Sequence, residues 1–223
     1  MDNNSIILYK FHKNIKILNI LNENIIGILD LEKFNKLEKL RCDFSKITEI
    51  INFPKSLKYL FGYSIDKIIN NLPNSITHLI FDDNFNQDVN NLPNSITHLT
   101  FSIRFNRFVD NLPNSITHLT FGCSFNKKVN NLPNSIKYLS FGVNFNQSVN
   151  NLPNSITHLT FGCSFNKNVD YLPNSIKYLT FGVNFNQSVD NLPNSIIHLT
   201  FEGIIDKKIN NLPISMKQFI FWK

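Results

Sequence analysis

The sequence repeats with a period of 20 residues from residue 72 to residue 223. A Leu-Pro pair recurs eight times without an insertion, and a serine lies three residues after each leucine. The leucines of these pairs are Leu72, Leu92, Leu112, Leu132, Leu152, Leu172, Leu192 and Leu212. A short, fixed period of this kind is typical of a solenoid, in which each repeat forms one coil stacked on the next.

Each repeat predicts one short strand. Leu139 and Phe141 are two positions apart, so both side chains point to the same side of a strand, which we take as inward. Pro133 cannot donate to a strand ladder and therefore lies outside the strand. The chain has 37 Asn and no Ala, a composition that disfavours helices and supplies turn formers for the return segment.

The repeated motif Phe-Asn-x-x-Val-Asn-Asn-Leu-Pro-Asn-Ser-Ile-x-x-Leu-x-Phe-Gly resembles the FNIP repeat of amoebae and of the giant viruses that infect them. That repeat is similar to leucine-rich repeats, whose L-x-x-L-x-L pattern matches Ile76, Leu79 and Phe81. The resemblance covers residues 53–223. It implies a mainly β fold, a right-handed leucine-rich-repeat-type solenoid of about 20-residue coils. We expect a parallel sheet of about ten or eleven strands on one face and irregular extended segments on the other.

The first 52 residues predict a degenerate N-terminal cap and irregular leucine-rich-type coils. We interpret residues 1–14 as the cap and residues 53–223 as FNIP-like repeats, all in one continuous solenoid. Some members of the family begin with an F-box, which docks a ubiquitin-ligase scaffold, but residues 1–50 show no such pattern. Four leucines mark the uneven coils, at gaps of 22, 20 and 19 residues: Leu18, Leu40, Leu60 and Leu79.

Stacking the coils turns equivalent residues into columns about 4.8 Å apart. One column predicts a buried aromatic stack: Phe85, Phe105, Phe125, Phe145, Phe165 and Phe185, continued by Ile205. The next predicts side-chain hydrogen bonds to turn backbone groups, with its inward or outward direction left open: Asn86, Asn106, Asn126, Asn146, Asn166 and Asn186, ending at Asp206.

A column rich in imidazole and phenol rings is expected to face outward on the concave sheet. It holds five of the six histidines: His78, His98, His118, Tyr138, His158, Tyr178 and His198, followed by Gln218. Small polar residues flank it, among them Thr100, Thr120, Ser140, Thr160 and Thr180. Together the two columns predict a shallow, neutral, hydrogen-bonding groove that suits an extended peptide or a protein surface.

Two interpretations of the ring column stay open: a ladder that packs on itself, and a protein-binding face. Metal binding needs three or four converging ligands, which a straight column does not offer, so no metal site is predicted. No catalytic residue is predicted either, because the imidazoles have no carboxylate, Ser or Cys at a defined reach. Neighbouring imidazoles disfavour each other's protonation, which predicts lowered pKa values and lower stability at acidic pH.

Charge and cysteine content narrow the function classes. The net charge of +6 is spread without a run of Lys or Arg, which argues against nucleic acid. The apolar runs are too short for a membrane span or a signal peptide, so we expect a cytoplasmic protein, in the host cytoplasm if the protein is viral. Cys123 and Cys163 lie two coils apart, about 10 Å, too far for a disulfide, and Cys42 lies in another coil, so free thiols are expected.

The chain ends directly on the last predicted strand, without a polar cap. Phe219 and Phe221 keep the inward phase, and Trp222 takes the outward position. An exposed core and strand edge invite another chain, so these three residues predict an oligomer contact, as a homodimer or with another protein.

The predicted function is a non-catalytic protein–protein interaction module that binds a protein or extended peptide on the concave sheet, without cofactor. One alternative is a structural or self-assembling scaffold that uses the C-terminal coil. The other is a substrate-recruiting adaptor, related to F-box and FNIP proteins but without an F-box.

Overall fold

The computed structural model describes residues 11–204 and 209–221 of the 223-residue chain. Their secondary structure is almost all strand, apart from two short 3-10 helices, Ile65–Lys67 and Ile69–Asn71. The strands are β1 (Ile17–Ile20), β2 (Gly27–Asp30), β3 (Lys39–Asp43), β4 (Ile47–Ile51), β5 (Tyr59–Tyr63), β6 (His78–Phe81), β7 (His98–Thr100), β8 (His118–Thr120), β9 (Tyr138–Ser140), β10 (His158–Thr160), β11 (Tyr178–Phe181), β12 (His198–Phe201) and β13 (Gln218–Phe221).

Eleven strands form one sheet in the order β1-β3-β5-β6-β7-β8-β9-β10-β11-β12-β13. All neighbours are parallel, and equivalent residues of successive coils lie side by side, as Leu139 does with Leu159. The predicted solenoid with coils of about 20 residues is confirmed. Strands β2 and β4 pair with each other on the return side of the first coils, a second small sheet that the sequence analysis did not predict.

The sheet runs without a break from the irregular coils into the regular repeats. Leu18 pairs with Leu40, Leu40 with Leu60, and Leu60 with Leu79, so the uneven gaps leave the inward leucines in register. Strand β2 lies in the return segment of a 22-residue coil, and β4 in that of a 20-residue coil. The boundary at residue 53 and the cap over residues 1–14 stay predictions, and residues 1–10 lie outside the described part.

The core consists of residue columns that run the length of the solenoid. Phe141 and Phe145 stack within one coil, with ring centroids 3.7 Å apart. Each stacks again on the next coil, Phe141 on Phe161 at 5.7 Å and Phe145 on Phe165 at 6.1 Å. All these rings are buried. The predicted core aromatic stack is therefore confirmed from Phe85 to Phe185, while Ile205 lies outside the described residues.

The asparagine column links the coils from their outer surface. The backbone N–H of Asn126 donates to the Oδ1 atom of Asn106 at 3.0 Å, and the bond recurs from Asn86 to Asn186. The prediction that this column satisfies turn backbone is confirmed. Its side chains are half-buried or exposed, because phenylalanine fills the interior beside them. Asp206 lies outside the described residues.

The serine of each Leu-Pro-x-Ser segment binds the preceding coil. The Ser135 hydroxyl donates to the carbonyl oxygen of Ile116 at 2.6 Å, and the same bond recurs in six further Leu-Pro-x-Ser coils. Ser56, which follows a Phe-Pro pair, makes the equivalent bond to Leu37. Ser75 is the exception, since its hydroxyl oxygen is buried without a hydrogen-bond partner.

Candidate functional site: the ring ladder

Eight aromatic rings stack on the outward face of the sheet and form what we call the ring ladder. Its members are Tyr59, His78, His98, His118, Tyr138, His158, Tyr178 and His198. Successive ring centroids are 4.0–4.8 Å apart and the ring planes are within 29° of parallel. The stack follows from the sheet itself, because each ring occupies the first strand position of its coil.

The ladder is longer than the sequence analysis predicted. Tyr59 extends it by one ring, 4.1 Å from His78, and the Lys39 ammonium lies 4.6 Å from the Tyr59 ring centroid. At the other end the His198 Nδ1 atom lies 2.8 Å from the Gln218 side-chain oxygen. The sequence held a signal for Tyr59, because it precedes Leu60 as His78 precedes Leu79. Tyr59 and His78 are 19 residues apart, so Tyr59 does not fall in the 20-residue register of the other rings.

Four of the histidines lie beside a threonine hydroxyl. The Oγ1 atom of the preceding threonine is 2.8–2.9 Å from the imidazole Nδ1 atom in Thr77–His78, Thr97–His98, Thr117–His118 and Thr157–His158. The sequence analysis missed these partners. Threonine and histidine are adjacent in the chain, and adjacent residues within a strand point to opposite faces. Here the threonine precedes the first strand residue, so the alternation does not apply to it.

The acceptors within reach of the threonine hydroxyls indicate the tautomer of these histidines. The Thr97 hydroxyl has two acceptors in reach, the His98 Nδ1 atom at 2.9 Å and the Thr77 carbonyl oxygen at 3.2 Å. That carbonyl oxygen already accepts the backbone N–H groups of Thr97 and His98. We therefore assign the hydroxyl proton to Nδ1, which leaves the imidazole proton on Nε2. The same two backbone bonds recur at the other three pairs.

Coils that place tyrosine in the ladder place lysine before it. Lys58, Lys137 and Lys177 precede Tyr59, Tyr138 and Tyr178, and all three lysines are exposed. The face is therefore less neutral than the sequence analysis predicted. Lys137 disfavours protonation of His118, and Lys177 disfavours protonation of His158, in the coils next to them.

Burial lowers the pKa of His78, His98, His118 and His158 below the usual value. Nearby positive groups add to this effect for three of them, including other imidazoles at His78 and His118. The predicted direction is confirmed. Burial in the stack, however, is the larger cause, and repulsion between protonated neighbours is the smaller one.

The flanking residues lie outward as predicted. Thr100, Ser140, Thr160 and Thr180 are half-buried, and Thr120 is exposed. The glycine column beyond them packs on backbone, since a Cβ atom at Gly142 would collide with the Gly122 carbonyl oxygen. Whether any of these residues binds a partner stays a prediction.

The described residues contain no group of three His, Cys, Asp or Glu side chains that could hold a metal ion. Cys42, Cys123 and Cys163 are free thiols, and burial raises the pKa of Cys42 far above its usual range.

A cleft of about 430 Å³ lies on the return side of the solenoid, and its ionisable groups are Asp66 and Asp88. No helix in the described part of the chain is long and apolar enough to cross a membrane.

The C-terminal strand places Phe219 partly in the open. Its side chain is 37% exposed and contacts Phe201 edge to face, with centroids 5.7 Å apart. Phe221 closes strand β13, but its side chain and Trp222 lie outside the described residues. The predicted oligomer contact at these three residues stays a prediction.

Comparison with known proteins identifies relatives of the fold. The FNIP Repeat family model matches residues 63–102, 88–124, 125–164, 145–182 and 165–203. The chain is 40% identical to a solved structure described as CroV588, a novel circular LRR protein, from a giant virus. The TM-score is 0.71, and the match covers 84% of this chain and 34% of that one. The chain thus spans about a third of that protein's length. No curated protein matches the sequence.

These matches agree with the fold and with the repeat that the sequence showed. Solenoids of the FNIP and leucine-rich type are generally non-enzymatic scaffolds and commonly mediate protein interactions. The five matched segments join without a gap over residues 63–203, which is more than half of the chain. The chain therefore belongs to the FNIP-repeat family.

Proposed function

We propose that this solenoid is a non-catalytic interaction module that binds a protein or an extended peptide across the ring ladder. The observation that carries the proposal is an unbroken row of ring edges along an open sheet. The rings use their faces to pack on one another, yet Tyr138 and Tyr178 are 40% and 39% exposed. The two interpretations of this column are thus compatible: the faces stabilise the stack and the edges remain for a partner.

The shape of the face favours a macromolecular partner. Small molecules bind in concave pockets that enclose most of their surface, whereas the ladder lies on the outward face of a continuous sheet. The residues that line the 430 Å³ cleft are on the return side and include no ladder ring. A long, repetitive face offers the same group to a partner in coil after coil, which suits an extended chain.

The proposal assigns no catalytic role to the Thr–His pairs. A nucleophile activated by histidine needs a third group to orient the imidazole and donors to hold the developing negative charge. In the four pairs the hydroxyl lies on the Nδ1 side, and the Nε2 side faces outward.

The three free cysteines suit a reducing compartment such as the cytoplasm, which we propose as the site of action.

Affinity capture from amoebal lysate tests the proposal. The native chain is compared with a variant that carries Ala at His98, His118, Tyr138 and His158. A matched control carries Ala at one exposed return-side residue in each of the same four coils: Phe108, Lys128, Ser148 and Asn168. We expect a partner that the native chain and the control retain and the ladder variant loses. Recovery of the same proteins with all three chains would refute the proposal.

A structural scaffold is the second candidate. The observation that favours it is the likeness to a protein described as circular, of which this chain matches 34%. A comparable ring made from this sequence alone would require several copies joined end to end. Light scattering over a range of concentrations tests this idea, and a single monomeric mass at every concentration would exclude it. The adaptor role stays a prediction.

A further inference from the structure

We infer that the partner segment is acidic: an extended peptide whose carboxylates accept hydrogen bonds from the ring ladder and pair with the lysines beside it. This inference deepens the proposed function and rests on it. It follows from which atoms the ladder exposes, where the protons lie, and which charges surround them.

The ladder offers edges and not faces. Each inner ring has a neighbour on both sides at 4.0–4.8 Å, so the negatively polarised faces are covered. What remains exposed is the positively polarised edge, with the imidazole Nε2 atom or the phenol hydroxyl. Such an edge attracts an anion or a hydrogen-bond acceptor.

The threonine pairs turn the imidazole edges into donors. The hydroxyl oxygens of Thr97 and Thr117 lie 2.9 and 2.8 Å from the Nδ1 atoms of His98 and His118. With the hydroxyl protons assigned to Nδ1 as above, both imidazoles carry their proton on Nε2. His78 and His158 are held in the same way. The tyrosine hydroxyls between and beyond them can donate as well. A row of donors at one per coil fits a partner rich in acceptors.

The charged residues on the ladder strands and directly before them are lysines. From Lys58 onward, the strands of the main sheet and the residue before each strand contain four lysines and no Asp or Glu. These lysines are Lys58, Lys137, Lys177 and Lys217. Asp82 follows strand β6, but it is buried and accepts the backbone N–H groups of Ser64 and Asn84. Exposed Glu202 follows strand β12, towards the far end of the ladder.

The near end of the ladder is also basic. Lys39 and Arg41 lie outward on strand β3, stacked over the rings of Tyr59 and Phe61. Asp43 lies on the same strand, half-buried. The carboxylate of Glu38 pairs with Lys16 at 2.8 Å, which offsets its charge.

The spacing of the lysines matches an extended chain. Lys137 and Lys177 are two coils apart, about 10 Å at one strand spacing per coil. An extended polyproline II segment rises about 3.1 Å per residue with three residues per turn, so carboxylates three residues apart lie on one side of it, about 9 Å apart. Single-stranded nucleic acid fits less well, because its bases bind by stacking on open aromatic faces, and the ladder covers its own.

Fluorescence anisotropy with defined probes tests the inference. The probes are labelled 12-residue peptides of Glu, Gln or Lys, and a 12-nucleotide oligouridine. We expect the native chain to bind the Glu peptide at least about tenfold more tightly than the Gln peptide, not to bind the Lys peptide, and to lose affinity as salt rises. Equal binding of the Glu and Gln peptides would overturn the inference, and so would tighter binding of the oligouridine.

A pair of charge-reversal variants locates the site. K137E/K177E should weaken binding of the Glu peptide by about tenfold or more, since two attractive charges become repulsive. K128E/K167E makes the same charge change on the return side and should change it less than about twofold. Equal losses in both variants would show that net charge, not the ladder face, governs binding. Unchanged thermal melts show that both variants fold.

The lysate capture separates the two hypotheses. If the native chain fails to bind the Glu peptide but captures a partner that the ladder variant loses, the proposed function stands and the acidic partner is wrong. If the ladder variant retains every captured protein and still binds the Glu peptide like the native chain, both are wrong.

Discussion

The Nδ1 atom of His98 lies 2.9 Å from the hydroxyl oxygen of Thr97, the residue before it in the chain. The same pair recurs at His78, His118 and His158. At His198 an isoleucine takes the place of threonine, and Gln218 supplies a partner for Nδ1 from the next coil. Each of these rings therefore has a defined hydrogen-bond partner within the sheet, which fixes the ring for its neighbours to stack on.

Removing the threonine hydroxyl should allow the neighbouring imidazole to populate both tautomers. In T97V and T117V the Nδ1 atoms of His98 and His118 lose their donor, so we expect a mixed tautomer at these two rings. Long-range nitrogen–proton NMR at pH 8 measures which ring nitrogen carries the proton. T100V makes the same substitution one strand position beyond the His98–Leu99 pair and should leave His98 and His118 in the Nε2–H form. Mixed tautomers at His98 and His118 in the native chain would contradict the assignment.

Stability should fall as the pH drops below about 6.5, the usual histidine value. The pKa values of His78, His98, His118 and His158 are lowered in the folded state, so the unfolded state binds more protons below that pH. The contribution is complete above the unfolded value and is lost as the pH falls through the lowered folded values. Urea unfolding midpoints between pH 8 and pH 5.5 measure the effect.

A variant with Gln at these four histidines is the control for that pH series. Its midpoint should change less over the same interval, because glutamine does not titrate. An equally steep decline in both chains would assign the pH dependence to other groups.

The inner phenylalanine stack should dominate stability. Phe125 is fully buried between Phe105 and Phe145, at 6.0 Å from each, so F125A removes contacts to both neighbouring coils. We expect a loss of about 3–5 kcal/mol in the free energy of unfolding, measured by chemical denaturation. F108A truncates a side chain that is 62% exposed and should cost less than about 0.5 kcal/mol. Similar costs for the two variants would refute the described core.

The serine bonds between coils offer a test with an internal control. Ser135 donates to the Ile116 carbonyl oxygen, so S135A should cost about 1 kcal/mol. The Ser75 hydroxyl is buried without a partner, so S75A should be neutral or slightly stabilising. Chemical denaturation measures both. A larger loss for S75A than for S135A would mean that the short coil holds its serine differently.

The sequence predicted most of the structural features that follow from the 20-residue period. A residue in a stacked coil meets its equivalents 20 positions away, so the columns of Phe125, Asn126 and His118 could be assembled without coordinates. The inward direction of Leu139 and Phe141 followed from the two-residue alternation of a strand. The partner of the ladder could not be predicted in the same way, because a repeated residue describes the face and not what covers it.

Other features depended on chain geometry that the period does not describe. Tyr59 joins the ladder across a 19-residue gap, and strands β2 and β4 pair across the return segments of uneven coils. Thr97 lies beside His98 because it is outside the strand, which begins at His98, so the strand alternation does not apply to it. The charge beside the ladder likewise emerged only when Lys137 and Lys177 were placed next to rings from neighbouring coils.

The sequence by itself thus determined the solenoid, its inward columns and the outward row of rings. The tertiary structure alone decided where that row begins, which hydroxyl lies beside each paired imidazole, and which charges lie beside the row. The physical reason is one of range. Periodicity fixes which residues are neighbours along the stack, whereas hydrogen bonds and charge contacts depend on atomic positions within a few ångströms, which strand ends and coil lengths set.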